Sequence, residues 1–207
     1  MVDVLTASRY SPLKRGFDVF AGSLLLVLVS PILAGSLLAV GIDSGRPVVY
    51  RRRVVGLGGR TFDAFKVRTM VRDADDVLER DAGLRLAYAA SNKLAVDPRV
   101  TRTGRWLRRL SIDELPQLVN VLRGEMSLVG PRMITPAELP EWGDTADLLL
   151  SVRPGLTGLW QVNGRQKLTK ADRIRLDGEY VHQMSLRLDL RILARTVPAV
   201  LSSRGAY

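Results

Sequence analysis

Cysteine is missing from this 207-residue chain, which rules out disulfides, thiolate nucleophiles and zinc–thiolate centres. A single histidine, His182, is too few for a histidine metal centre or a Ser-His-Asp triad, and reads as a solvated helix residue. Aromatic residues make up only 6% of the chain, too few to interleave with its basic residues as a stacking platform, so a nucleic-acid partner is not expected. Repeats, low-complexity tracts and long Pro/Gly/Ser linkers are also lacking, and the length leaves room for one domain, 1–207.

What is present is positive charge and one apolar run. Lys and Arg number 31 against 21 Asp and Glu, a net +10 that asks for an anionic partner. From Val19 to Ile42 no residue carries a charge. An unbroken helix of that length reaches ~36 Å, enough to cross a hydrocarbon core of roughly 30 Å. Pro31 lacks the donor a helix needs and clashes with the preceding turn, so a break is expected at Ser30-Pro31, with the Ser30 hydroxyl placed to satisfy a freed backbone group. Two arms of about 12 residues would result, and neither spans alone. Arg9, Lys14 and Arg15 precede the run and Arg46, Arg51, Arg52 and Arg53 follow it, so both flanks favour the cytoplasmic side. The expectation is a re-entrant membrane helix over 19–42 with a cytoplasmic part over 43–207. A kinked single-pass anchor is the alternative; a secretory signal fits poorly, its apolar region being shorter and unbroken.

Beyond this segment, Pro47 to Val55 and Thr61 to Arg68 are rich in Val, Phe and Thr and flank Gly56-Leu57-Gly58-Gly59, which predicts a β-hairpin. The glycines read as a turn, since no phosphate-binding glycine motif is present. Residues Val71 to Ala90 read as one helix with an acidic face, and Arg102 to Arg109 as a basic helix. Ser111 with Glu114 three residues on has the form of a capping box, followed by Leu115, Leu118, Val119 and Leu122 at helical spacing. Asp113 then has two readings: a charge suiting the positive helix end, worth ~0.3–1 kcal/mol, or a reactive carboxylate. Val129-Gly130-Pro131-Arg132 and Val152-Arg153-Pro154-Gly155 set arginines in rigid loops, a geometry suited to phosphate and equally to a surface turn. Arg187, Arg191 and Arg195 recur opposite Leu188, Ile192 and Val197, as in a helix lying on a membrane surface or against a core.

Together these blocks resemble the bacterial sugar transferase family, the monotopic polyprenyl-phosphate phosphoglycosyl transferases. The similarity runs from Ser11 to Tyr207. Lys14-Arg15-Gly16-Phe17-Asp18 resembles the motif that opens the family's re-entrant helix, and Ser30-Pro31 its helix break. Further matches are Phe65-Lys66-Val67-Arg68-Thr69-Met70, Asp97-Pro98-Arg99-Val100-Thr101, Leu107 to Leu118, Asn120 to Arg132 and Arg153 to Arg165. Three positions depart from the family pattern: Val54 replaces an arginine, Met133 a second proline, and Met184 a tryptophan. The larger members carry an additional multi-helix membrane domain, so the similarity is to the short form.

The resemblance implies an α+β, helix-dominated monotopic membrane protein with a re-entrant hairpin, a small β-hairpin and interfacial amphipathic helices. It implies transfer of a sugar 1-phosphate from a UDP-sugar to polyprenyl phosphate at the cytoplasmic face of the inner membrane, with release of UMP and onward supply to downstream glycosyltransferases. In the matching positions Asp113 would be the nucleophile, kept ionised by a helix N-terminus, and Glu114 its acid/base partner. Lys66, Arg68, Arg108, Arg132, Arg153, Gln161 and Arg165 would bind substrate phosphates, and Mg²⁺ would sit on Asp113. A competing reading without chemistry, a single-pass anchored basic domain that binds anionic lipid or DNA, explains the charge and the apolar run but not Asp113-Glu114.

Overall fold

The structure is a computed structural model describing residues 4–91, 94, 96–143, 145–164 and 168–201. It opens with one long helix, α1 (Val4–Ser44), which continues through Pro31 where a break into two arms was expected. The reason is local. Proline at 31 has no N–H for the Val27 carbonyl, and the Ser30 hydroxyl supplies that bond instead at 2.8 Å.

One stripe of α1 lies against the rest of the protein: Phe17, Ala21, Leu25 and Val29, then Leu33, Leu37 and Val40, at three- and four-residue spacing. The opposite side is apolar as well, exposing Phe20, Leu24, Val27, Leu28, Ile32, Leu38 and Ile42. A helix apolar all round calls for lipid on the side that protein leaves uncovered. Both ends of α1 seat on the same body. At the start, Lys14 reaches Asp189 at 2.6 Å, Arg15 gives two bonds to the Val121 and Leu122 carbonyls, and Asp18 accepts from Leu128 N–H. At the end, the Arg68 Nη2 donates to the Ser44 and Gly45 carbonyls. Lys14 and Arg15 of the leading basic flank are thus spent on contacts within the protein.

The hairpin forms as expected: β1 (Val49–Val55) pairs antiparallel with β2 (Thr61–Val67) around a 3₁₀ turn at Leu57–Gly59. Where one helix was expected there are two, α2 (Ala74–Arg80) and α3 (Ala82–Ser91), because Asp81 leaves the helix and its carboxylate accepts the Leu84 N–H. The Asp97-Pro98-Arg99 motif is self-contained, with Arg99 forked onto the Asp97 carboxylate at 2.9 and 2.8 Å. It delivers Thr101 to cap α4 (Arg102–Arg109), accepting from the Gly104 N–H. Gly104 has no alternative there, since a Cβ would lie 2.1 Å from the Thr69 carbonyl oxygen.

After a 3₁₀ turn at Ile112–Glu114 comes α5 (Gln117–Arg123). Its fully buried Asn120 docks it on the hairpin edge, accepting from Phe65 N–H and donating to the Asp63 carbonyl. Strand β3 (Ser127–Val129) leads through a third 3₁₀ turn, Leu139–Trp142, to α6 (Thr145–Leu150), and β4 (Gly155–Thr157) returns parallel to β3. Helices α7 (Leu159–Val162), α8 (Lys170–Gln183) and α9 (Leu186–Leu201) close the body around a core of Leu118, Val121, Met126, Tyr180 and Ile192. In α9 the core side holds Ile192 and Asp189, whereas Val197 is exposed rather than aligned with them.

Candidate active site

Strand β2 and helix α4 converge on the turn that carries Asp113. Strand β2 buries Phe62 and Ala64 on one face, and Lys66 continues that face with its amine 2.7 Å from Glu114 Oε1 and 3.8 Å from Asp113 Oδ2. Helix α4 supplies Arg108, whose Nε is fixed by the Thr69 hydroxyl at 2.8 Å and whose charge acts on Asp113. Between α4 and the acidic pair, Ser111 adopts φ 55°, the one non-glycine positive φ among the described residues. This left-handed residue turns the chain sharply enough to bring Asp113 back toward α4 and β2.

Here the capping box fails. Ser111 caps nothing with its side chain, and Asp113 lies in a single 3₁₀ turn instead of the first turn of an α-helix. Its carboxyl is accordingly not held low by a helix end. Burial pushes it up to about 6, with Glu114 adding to the rise while Lys66 and Arg108 oppose it. The buried face of α5 is also displaced from expectation, holding Gln117, Leu118, Asn120 and Val121.

The other expected phosphate ligands divide. Arg68 caps the end of α1, and Arg153 donates to the Gly124 carbonyl at 2.7 Å. Arg68 nonetheless keeps Nε and Nη1 buried with no partner among the described residues. Arg132 pairs with Glu138 at 3.3 Å and lies over Trp160, while the Gln161 Oε1 is buried beneath Gly158. Arg165 lies outside the described residues. The loops bearing Arg132 and Arg153 are rigid because β3 and β4 touch backbone to backbone: a Cβ on Gly155 would fall 2.1 Å from Gly130 N. Glu138, Arg173 and Asp177 were not singled out from sequence, having no local motif of their own, while Arg52 was named only as a basic flank and Thr69 only within a matching block.

A metal ion would find two adjacent carboxylates, Asp113 and Glu114, and no cluster of three or more potential ligands among the described residues. That donor set fits Mg²⁺, which takes one or two protein carboxylates and completes its shell with water and substrate phosphates.

An acidic pair beside two cations, on a body seated against a helix whose middle is apolar all round, fits a membrane-associated α+β protein. The chain belongs to the bacterial sugar transferase family, whose model matches residues 9–203. It is 45% identical over 198 residues to the exopolysaccharide production protein ExoY of Rhizobium meliloti (strain 1021), covering 94% of this chain and 88% of that one. It is 42% identical to the UDP-glucose:undecaprenyl-phosphate glucose-1-phosphate transferase of Caulobacter vibrioides, over 94% of this chain and 72% of the relative. It is 41% identical to the undecaprenyl-phosphate galactose phosphotransferase of Salmonella typhimurium, over 97% of this chain but 42% of that longer protein.

Proposed function

We propose that this chain transfers a sugar 1-phosphate from a UDP-sugar to polyprenyl phosphate through a covalent intermediate on Asp113. The observation that carries the reading is the position of Asp113: nearly buried, its pKa raised to about 6, with Lys66 3.8 Å away. At neutral pH such a carboxylate is ionised yet poorly solvated, which favours attack on phosphorus. An Asp113 oxygen bonds to the β-phosphorus and the bond to the bridging oxygen breaks, so UMP leaves with that oxygen. An oxygen of the polyprenyl phosphate then attacks the same phosphorus, releasing the Asp113 carboxylate and leaving the sugar on a lipid-linked diphosphate. Lys66 and Arg108 stabilise charge on the transferring group, and Glu114, held by Lys66, positions that amine or moves a proton. Mg²⁺ bound at Asp113 and Glu114 would neutralise part of the diphosphate charge.

Incubated with the correct UDP-sugar and no acceptor, the enzyme should release about one equivalent of UMP and gain the mass of a sugar phosphate. Turnover by Asp113→Asn, or kinetics requiring both substrates together, would falsify the covalent route.

We further read α1 as re-entrant, with both flanks on the cytoplasmic side, because its two ends grip one body. Since the chain has no cysteine, single cysteines at positions 8 and 91 give a direct test. Both should resist a membrane-impermeant thiol reagent in intact cells, and labelling at position 8 alone would establish a spanning helix instead.

A further inference from the structure

Helix α5 carries two fully buried side-chain amides one turn apart, and the fold treats them in opposite ways. Asn120 is saturated: it accepts the Phe65 N–H at 3.0 Å and donates to the Asp63 carbonyl at 2.8 Å and to Glu125 Oε2 at 2.7 Å. Gln117 is not. Neither its Nε2 nor its Oε1 meets a hydrogen-bond partner among the described residues. An amide buried in that condition weakens the folded state, and an apolar side chain of similar shape would remove the penalty.

The position of Gln117 along the chain points to a use. From Ile112 onward the backbone is tightly wound, with i→i+3 bonds closing at Leu115, Leu118 and Val119. In such a winding residues three apart lie nearly above one another, so Glu114, Gln117 and Asn120 share one side. Both ends of this column are tied to β2: Glu114 to the Lys66 amine at 2.7 Å, and Asn120 to Phe65 and Asp63. Gln117 therefore lies below the acidic pair on the side that meets β2, with Glu114 its neighbour one turn up.

The Lys66 amine has more than one claimant. It also stands 3.8 Å from Asp113, and phosphates entering the cleft compete with both carboxylates for it. Once the amine turns to them, its hold on Glu114 loosens. An amide three residues along the same column is within reach of that carboxylate. Being neutral, it can hold Glu114 in place without drawing the substrate's charge away from Lys66.

We propose that Gln117 is a positioning residue for Glu114, its Nε2–H donating to that carboxylate when Lys66 turns to the phosphates of a bound substrate. The inference rests on the reading of the chain as a sugar-phosphate transferase.

Gln117→Met in the full chain, purified in detergent micelles, tests this, since Met keeps the length and removes the amide. Thermal unfolding should occur at the native temperature or ~2–4 °C above it, because no bond of the substrate-free protein is lost. UMP release is measured over a panel of UDP-hexoses and UDP-N-acetylhexosamines, with undecaprenyl phosphate as acceptor. There kcat should fall about 10- to 100-fold, with KM for the donor changed no more than about threefold. In a Glu114→Ala background the same substitution should change kcat less than about twofold, because its route to the chemistry is already cut. Native turnover by Gln117→Met overturns the proposal, as does an equal fall in both backgrounds. Unfolding several degrees below the native temperature makes Gln117 a structural amide, bonded through an internal water, and overturns it too. Gln117→Leu, read by the same criteria, separates loss of the amide from poor seating of Met. A native chain that releases no UMP from the whole panel sinks the transfer reading and this inference with it. A native chain that turns over while Gln117→Met matches it sinks the inference alone.

Discussion

Two buried aspartates are treated differently by this fold. Asp189 in α9 is fully buried and saturated, with Lys14 at 2.6 Å and the Tyr180 hydroxyl at 2.8 Å. Asp113 is nearly as buried, yet its ion-pair partner Lys66 stands off at 3.8 Å, because Lys66 spends its short contact on Glu114. The first arrangement locks a helix in place. The second leaves a charge whose partners act at a distance, and that is the condition in which a carboxylate stays reactive.

The largest effect that would sharpen this contrast is Asp113→Asn, which should lower turnover at least about 10⁴-fold, as loss of a nucleophile does, while leaving the protein folded. Lys14→Met is the counterpart. It strands the Asp189 charge in the interior and should cost about 3–5 kcal/mol of stability, read by thermal unfolding in detergent. If Lys14→Met instead abolished chemistry in a stable protein, the division between structural and reactive carboxylate would fail.

Lys66→Met should lower turnover about 10²–10³-fold. It should also move the acidic limb of the pH–rate profile upward, since Lys66 is the strongest opponent of the burial that raises the Asp113 pKa. In the native enzyme that limb should fall near pH 6, where Asp113 takes up its proton; a limb near pH 4 would mean a solvated carboxylate.

A smaller effect concerns stability, and its sign is opposite to that of a salt-bridged acid. With the folded pKa above the ordinary 3.8, the native state prefers the protonated form, so the penalty for ionisation is absent below about pH 4, grows until about pH 6 and is constant above. Asp113→Asn should therefore stabilise the protein at pH 7–8, by at most about 3 kcal/mol, partly offset by the cations it leaves behind. Smallest of all, Ser30→Ala should cost about 1 kcal/mol, since only the Val27 carbonyl loses its partner.

How much of this was legible in the sequence depends on how local each cause is. The hairpin follows from β-branched and aromatic residues around a glycine turn, and α4 was legible as the basic run Arg102 to Arg109, though its Thr101 cap was not. The Ser30 hydroxyl compensating Pro31 was equally readable, since donor and acceptor are three residues apart. The residues gathered around Asp113 were legible as motif blocks, but their surroundings were not. Ser111 could take a left-handed turn only because the body around it enforces one, and a pattern of Ser and Glu three apart gives no warning. Burial of Asp113 depends on β2 and α4 closing over it, which no neighbour in sequence encodes. Arg68 and Arg153 look like phosphate ligands in their motifs, yet the nearest acceptors turn out to be backbone carbonyls. Arg173 gave no signal and Arg52 read only as part of a basic flank, since the Trp160 and Glu138 they meet lie across the fold.

The grip of Arg68 on the end of α1 sets a mechanical scale. Arg68 stands two residues beyond Lys66 in the same chain segment, so the residue that holds the end of α1 and the residue whose amine stands beside Asp113 have Cα atoms no more than about 7 Å apart. At the other end, Arg15 is clasped to the last carbonyls of α5, whose first turn follows Glu114 by three residues. A helix fastened this way works as a depth gauge: the level at which α1 floats fixes the height of the acidic pair, and any shift of the helix along the bilayer normal must carry Asp113 with it.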